Sequence, residues 1–205
     1  MSEFLRHVGS ELTDLFSFFV TIALLQNIVL TTGFGASLVL LIVRKPKNIW
    51  LFSGIMTAFS VLMVLIAYPL DMYFGTAITN LWRPLMMIGI LVILYIPATL
   101  IIRRWWPSFY TRISRLLPMA AFNSLTVGIA LVTNVQFSSN LGGNIGLTFG
   151  ACLAFGVITW LVAEGIERLD NPDMPAAFRG MPATLLYIGI LALALLGFTS
   201  NFSLI

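Results

Sequence analysis

The sequence predicts an all-α integral membrane protein of six transmembrane helices, built as two inverted three-helix repeats with helices 1 and 4 broken near the bilayer midplane. Three observations carry that prediction. Hydrophobic residues make up 59% of the 205-residue chain and charged residues only 9%, against roughly 25% charged in soluble domains. The apolar residues fall into runs long enough for a hydrocarbon core of about 30 Å, which takes about 20 helical residues to cross. The first and fourth runs also carry polar residues at their centres, in a similar order.

Composition excludes several classes of protein. A mean hydropathy of +0.99 is more apolar surface than one soluble core of this size can hide, so the bilayer must act as solvent. The net charge of +3 does not indicate a nucleic-acid partner. The basic residues cluster at the ends of apolar runs, where they meet membrane lipid and set orientation. A single cysteine, Cys152, rules out an internal disulfide and a cysteine-rich metal site. His7 is the one histidine, and no Ser–His–acid set, phosphate loop or carboxylate cluster accompanies it. No catalytic constellation and no metal site are therefore expected. The first 14 residues carry Glu3, Glu11 and Asp14 against Arg6, which is not the basic start of a cleaved secretory signal. The first apolar run is expected to remain as a span.

Span 1 is placed at about Leu15–Val43, too long and too interrupted for one straight helix, with Asn27, Thr31, Thr32, Gly33 and Gly35 in its middle. Span 2 is expected at about Asn48–Pro69 and span 3 at Leu81–Ile102, with Pro97 as a kink. The segment RRWWPSFYTRISR, Arg103–Arg115, suits a connection at headgroup level. Span 4, Leu116–Val135, again carries central polar residues: Asn123, Ser124 and Thr126. A short uncharged loop, Ser138–Asn144, leads to span 5 at Ile145–Ala163. The polar stretch Glu164–Gly180 leads to span 6 at Pro182–Ser200.

Orientation follows from the cations. Arg44, Lys45, Lys47, Arg103, Arg104, Arg112, Arg115, Arg168 and Arg179 follow spans 1, 3 and 5, while only Arg6 and Arg83 fall on the other side. The positive-inside rule places the larger group in the cytoplasm and both termini outside.

LQNIVLTTG (Leu25–Gly33) and AFNSLTVG (Ala121–Gly128) both run Asn, small or apolar residues, Thr, Gly, and Asn27 and Asn123 lie 96 residues apart. The whole chain reads as one transmembrane domain of two repeats, about 12–104 and 105–205. Each holds three spans, so the second must enter the membrane from the opposite side. Unwound backbone within the bilayer is tolerated only where protein buries it or a cavity meets it. A hydrogen bond from each Asn to a neighbouring helix satisfies the same pattern.

At these segments the sequence resembles the RnfA/NqrE family, six-span subunits of the Rnf and Nqr membrane complexes that couple electron transfer to sodium or proton transport. The likeness rests on QNIVLTTGFGASLVLLIVRK (Gln26–Lys45), LPMAAFNSLTVGIALVTN (Leu117–Asn134) and IERLDNPDMPAAFRGMPATLLYIGILALALLGF (Ile166–Phe198). It covers essentially the whole chain, and the third block is the most specific. The resemblance implies that the two broken helices meet those of a homologous subunit. In the family each broken helix gives one cysteine to an intramembrane iron–sulfur cluster. Those cysteines fall on Ser37 and Ser124 here. Cluster irons take thiolates, with histidine as the usual substitute, so no 2Fe–2S cluster and no other cofactor is expected.

Two functions are consistent with these residues. One is a membrane subunit of the Rnf/Nqr type without the cluster, structural or ion-conducting, pairing with a homologous subunit or with itself through the broken-helix face. The other is a standalone small transporter or channel-like protein, its substrate held at helix ends between Asn27, Thr31, Asn123 and Thr126. Elsewhere, Gly142, Gly146, Gly150 and Ala154 recur every four residues, the spacing of close helix packing within the monomer or at a dimer face. Cys152, off that stripe, reads as a small buried apolar residue. Asp71 and Glu164, the acids nearest the membrane, read as interfacial.

Overall fold

The computed structural model describes residues 2–25, 35–42, 48–137, 141–169, 175 and 179–202, and all regular structure among them is helical. The elements are α1 (Ser2–Val20), running into a π-helical turn at Thr21–Leu25, then α2 (Ala36–Ile42) and α3 (Ile49–Trp105). There follow α4 (Pro107–Ile113), α5 (Leu116–Ala121), α6 (Ser124–Phe137), α7 (Leu141–Leu169) and α8 (Met181–Phe202). Four stretches are long and apolar enough to cross a membrane: Ile49–Tyr73, Trp82–Trp105, Leu116–Thr133 and Leu141–Arg168. Met181–Gly197 is apolar but shorter. This is a multi-pass helical membrane protein.

The helix α3 is 57 residues long, about 85 Å if straight at 1.5 Å per residue. It is not straight. The rings of Phe59 and Tyr95 lie 6.2 Å apart, and Asp71 pairs with Arg83 at 3.4 Å. Both pairs are centred on residue 77, so the two arms fold back as an antiparallel hairpin. Phe59, Met63 and Ala67 on one arm share a buried cluster with Met87 and Leu91 on the other. Spans 2 and 3 therefore hold as separate passes although helical geometry continues between them.

The second organising contact joins α1 to α7. A Cβ on Gly142 would strike the carbonyl oxygen of Glu11, and one on Gly146 that of Leu15. At Gly150 it would come within 2.8 Å of the Phe19 carbonyl oxygen. The glycine stripe thus admits α1 backbone to backbone, which decides for packing within the monomer at these three positions. Lipid tails are as apolar as leucine, so close packing rather than hydrophobicity rewards such an approach. At the start of this seam the Gly142 N–H donates to a Glu11 carboxylate oxygen. It is one of the N–H groups that the first turn of a helix leaves free.

Two boundaries differ from expectation. The chain is already helical from Ser2, because α1 lies along α7 and that contact supports residues too polar to register as a span. Leu141–Asn144, expected within a loop, forms the first turn of α7, held there by Glu11. Cys152 is buried, its carbonyl accepting from the Ser53 hydroxyl at 2.9 Å. Phe52 and Phe155 pack with centroids 5.9 Å apart in the same core.

Candidate functional site

Helix is interrupted at Phe122 and Asn123, between α5 and α6. The break leaves carbonyls of α5 and N–H groups of α6 without helical partners, a costly state in an apolar surrounding. Asn123 meets both needs. Its Oδ1 accepts from the Thr126 N–H at 2.7 Å, the bond of an N-cap, while its Nδ2 donates to the Ala120 carbonyl at 2.7 Å. The same Nδ2 reaches Thr126 Oγ1 at 3.0 Å, and that hydroxyl lies 3.2 Å from the Ala120 carbonyl. A carboxamide carries its donor and its acceptor on separate atoms, so one short side chain serves both helix ends at once. Asn123 and Thr126 are both buried, and their polar atoms serve the helix ends on either side.

The other interrupted segment arrives at the same place. Gly35 sits immediately before α2 with φ +80, a left-handed conformation that favours glycine. Its carbonyl accepts from the N–H groups of Leu38 and Val39 at 2.9 and 3.0 Å, opening the helix. Its own N–H donates to Ser124 Oγ at 3.0 Å. A Cβ there would lie 3.3 Å from Leu125 Cβ and 3.4 Å from the Phe155 ring. Gly35 and Ser124, 89 residues apart in sequence, thus bring the starts of α2 and α6 together.

Among the residues singled out from the sequence, Ser37 is the second residue of α2 and Ser124 the first of α6, both exposed. Asn123 and Thr126 form the buried cap. Asn27 and Thr31 lie outside the described residues. Phe122, in the break, packs edge-on against Tyr95 at 5.1 Å, linking the site to the α3 hairpin. Gly35 was not anticipated as the contact residue. Its signal was a glycine just ahead of an apolar helix, the position where a left-handed residue ends one segment and opens the next. The Asp71–Arg83 pair was missed too: the acid read as interfacial, whereas the Arg83 side chain is only 10% exposed.

Comparison with known proteins places this arrangement. No family model matches the chain. A protein of Actinobacillus pleuropneumoniae serotype 5b, named as the A-type subunit of an ion-translocating oxidoreductase complex, is 28% identical over 190 residues, covering 92% of this chain and 97% of the relative. The protein of that name from Pasteurella multocida is 27% identical over 190 residues, covering 92% of this chain and 98% of the relative. A third, from Yersinia pseudotuberculosis, is 32% identical over 117 residues, 57% of this chain and 60% of the relative. Over nearly its whole length the chain is thus similar to A-type subunits of ion-translocating oxidoreductase complexes. The first two alignments run nearly end to end, so the RnfA/NqrE likeness takes in the hairpin, the break at Asn123 and the glycine seam together.

Proposed function

We propose that this chain is a membrane subunit of an Rnf/Nqr-type ion-translocating complex that carries no iron–sulfur cluster and serves a structural or ion-conducting role. It crosses a bacterial inner membrane six times, as two inverted three-helix repeats with both termini periplasmic. The single observation behind this reading is the contact of Gly35 N–H with Ser124 Oγ, because it sets the turn before α2 against the break before α6. The partner, a homologous subunit or a second copy, meets the face where Ser37, Leu41, Met119, Phe122 and Ser124 remain exposed.

The family's cluster does not fit these residues. A serine hydroxyl keeps its proton where a cysteine thiol readily loses one, and cluster irons take thiolates. Ser124 Oγ is moreover occupied as an acceptor for Gly35. The standalone transporter would use Asn123 and Thr126 as solute ligands, yet the cap already employs their polar atoms.

Affinity purification from the native membrane, followed by identification of co-eluting chains, tests the proposal. Co-elution with redox subunits is the expected result. Sodium or proton flux from the protein alone in liposomes would remove a purely structural role. A stoichiometric iron–sulfur absorption in anaerobically purified protein would overturn the absence of the cluster.

A further inference from the structure

Two apolar grooves flank one ridge on the open side of the α3 hairpin. The ridge is Trp50, Gly54, Ala58 and Leu62, all exposed and all lining both grooves. One groove, of 420 Å³, runs between the ridge and the other arm, where Ile102 and the short helix α4 close it. The other, of 720 Å³, lies towards α7. Gly54 keeps the ridge low for no internal reason, since a Cβ there would meet nothing within 4 Å.

Four arginines stand at one end. The hairpin is centred on residue 77, so Trp50 on the first arm is level with Arg104 on the second. Arg103 and Arg104 directly follow the groove residue Ile102, and Arg112 directly precedes another, Ile113. Arg103, Arg104, Arg112 and Arg115 are all exposed, and none has an ion-pair partner among the described residues. From Trp50 to Leu62 is about 18 Å along a helix, close to half of a hydrocarbon core of about 30 Å. The grooves thus have the depth of one leaflet. A transmembrane partner helix would need both.

We propose that this face binds one anionic diacyl phospholipid, with an acyl chain on each side of the Gly54–Ala58 ridge and its phosphate at Arg103, Arg104 and Arg112. The apolar grooves accept the chains of any phospholipid, and the arginines select a headgroup with net negative charge. Each basic group near a membrane surface favours an anionic lipid by an amount that makes three of them worth about tenfold or more in preference.

The test uses the full chain in nanodiscs or mild detergent, with phosphatidylglycerol and phosphatidylcholine as probes and native mass spectrometry as the readout. One retained phosphatidylglycerol, preferred about tenfold over phosphatidylcholine, is expected. The triple variant Arg103→Gln, Arg104→Gln, Arg112→Gln should bind both lipids alike. Gly54→Leu with Ala58→Leu should lose both, while Gly189→Leu, which adds the same bulk at another open glycine, should retain them. Should the ridge variant fail to fold, the arginine variant decides alone. Equal retention of the two lipids by the wild type, or preference unchanged in the arginine variant, would overturn the proposal. So would a dimer that Gly54→Leu dissociates while bound lipid stays constant, since the ridge would then belong to a second copy.

Discussion

The side chain of Asn123 offers a donor and an acceptor, and the helix break it occupies consumes both. Removing it as Asn123→Ala strips the cap from α6 and leaves the Ala120 carbonyl with the Thr126 hydroxyl alone, at 3.2 Å. The expected loss is about 1–3 kcal/mol, the sum of a cap and one buried hydrogen bond. Asn123→Ser keeps an oxygen for the Thr126 N–H but has no amide to reach Ala120, so its stability should fall between the two in denaturant unfolding from micelles. Equal values for Ser and wild type would mean that the Ala120 bond contributes nothing. The Asp71–Arg83 pair makes a different prediction. Asp71→Asn leaves a buried guanidinium unpaired and should cost about 3 kcal/mol, whereas Asp71→Leu with Arg83→Met should sit near the wild type. The amide was legible in the sequence as a polar residue in an apolar run; its double use was not, because sequence spacing cannot tell a cap from a bond to another helix.

Among elements, the seam of α1 on α7 is the one that steric argument predicts most sharply. Gly146→Ala puts a methyl into the Leu15 carbonyl and must push α1 outward, at a cost of about 1–3 kcal/mol. Gly189→Ala on α8 meets open space and should be neutral or slightly stabilising. Hydrogen-exchange protection of residues 9–20 should fall in the first variant and not in the second. The four-residue period of the glycines was visible in the sequence. Its occupant was not, because a stripe of small residues states how closely a helix approaches without stating which. The helical Ser2–Asp14 stretch escaped for a related reason: its polar residues give no span signal, and only the contact with α7 accounts for it.

The hairpin governs the whole molecule, and it is open to a direct test. With Cys152→Ala as a cysteine-free background, Phe59→Cys and Tyr95→Cys should crosslink readily, while Phe59→Cys with Ile88→Cys should not. Failure of the first pair would separate the two arms. The four spans at Ile49–Tyr73, Trp82–Trp105, Leu116–Thr133 and Leu141–Arg168 were readable from apolar run lengths, with ends within about five residues of expectation. Their neighbours were not readable. Only 11% of the best window of Trp82–Trp105 is buried within the molecule, yet its lipid-facing and core-facing residues are equally apolar, so hydrophobicity carries no inward or outward signal there. In the first span the turn at Gly35 was legible as a glycine where an apolar residue was due. That it ends against Ser124 required the three-dimensional arrangement.

The glycine seam also raises a question of sliding. Its contact points repeat every four residues, so moving α1 along α7 by one turn, about 6 Å, sets Glu11 over Gly146, Leu15 over Gly150 and Phe19 over Ala154, where a single Cβ stands in the way. The Glu11 carboxylate adds a second bar to that move: it finds an unclaimed N–H at Gly142 and would find every one already claimed a turn further in. One carboxylate thus acts as the pawl of a ratchet whose teeth are glycines.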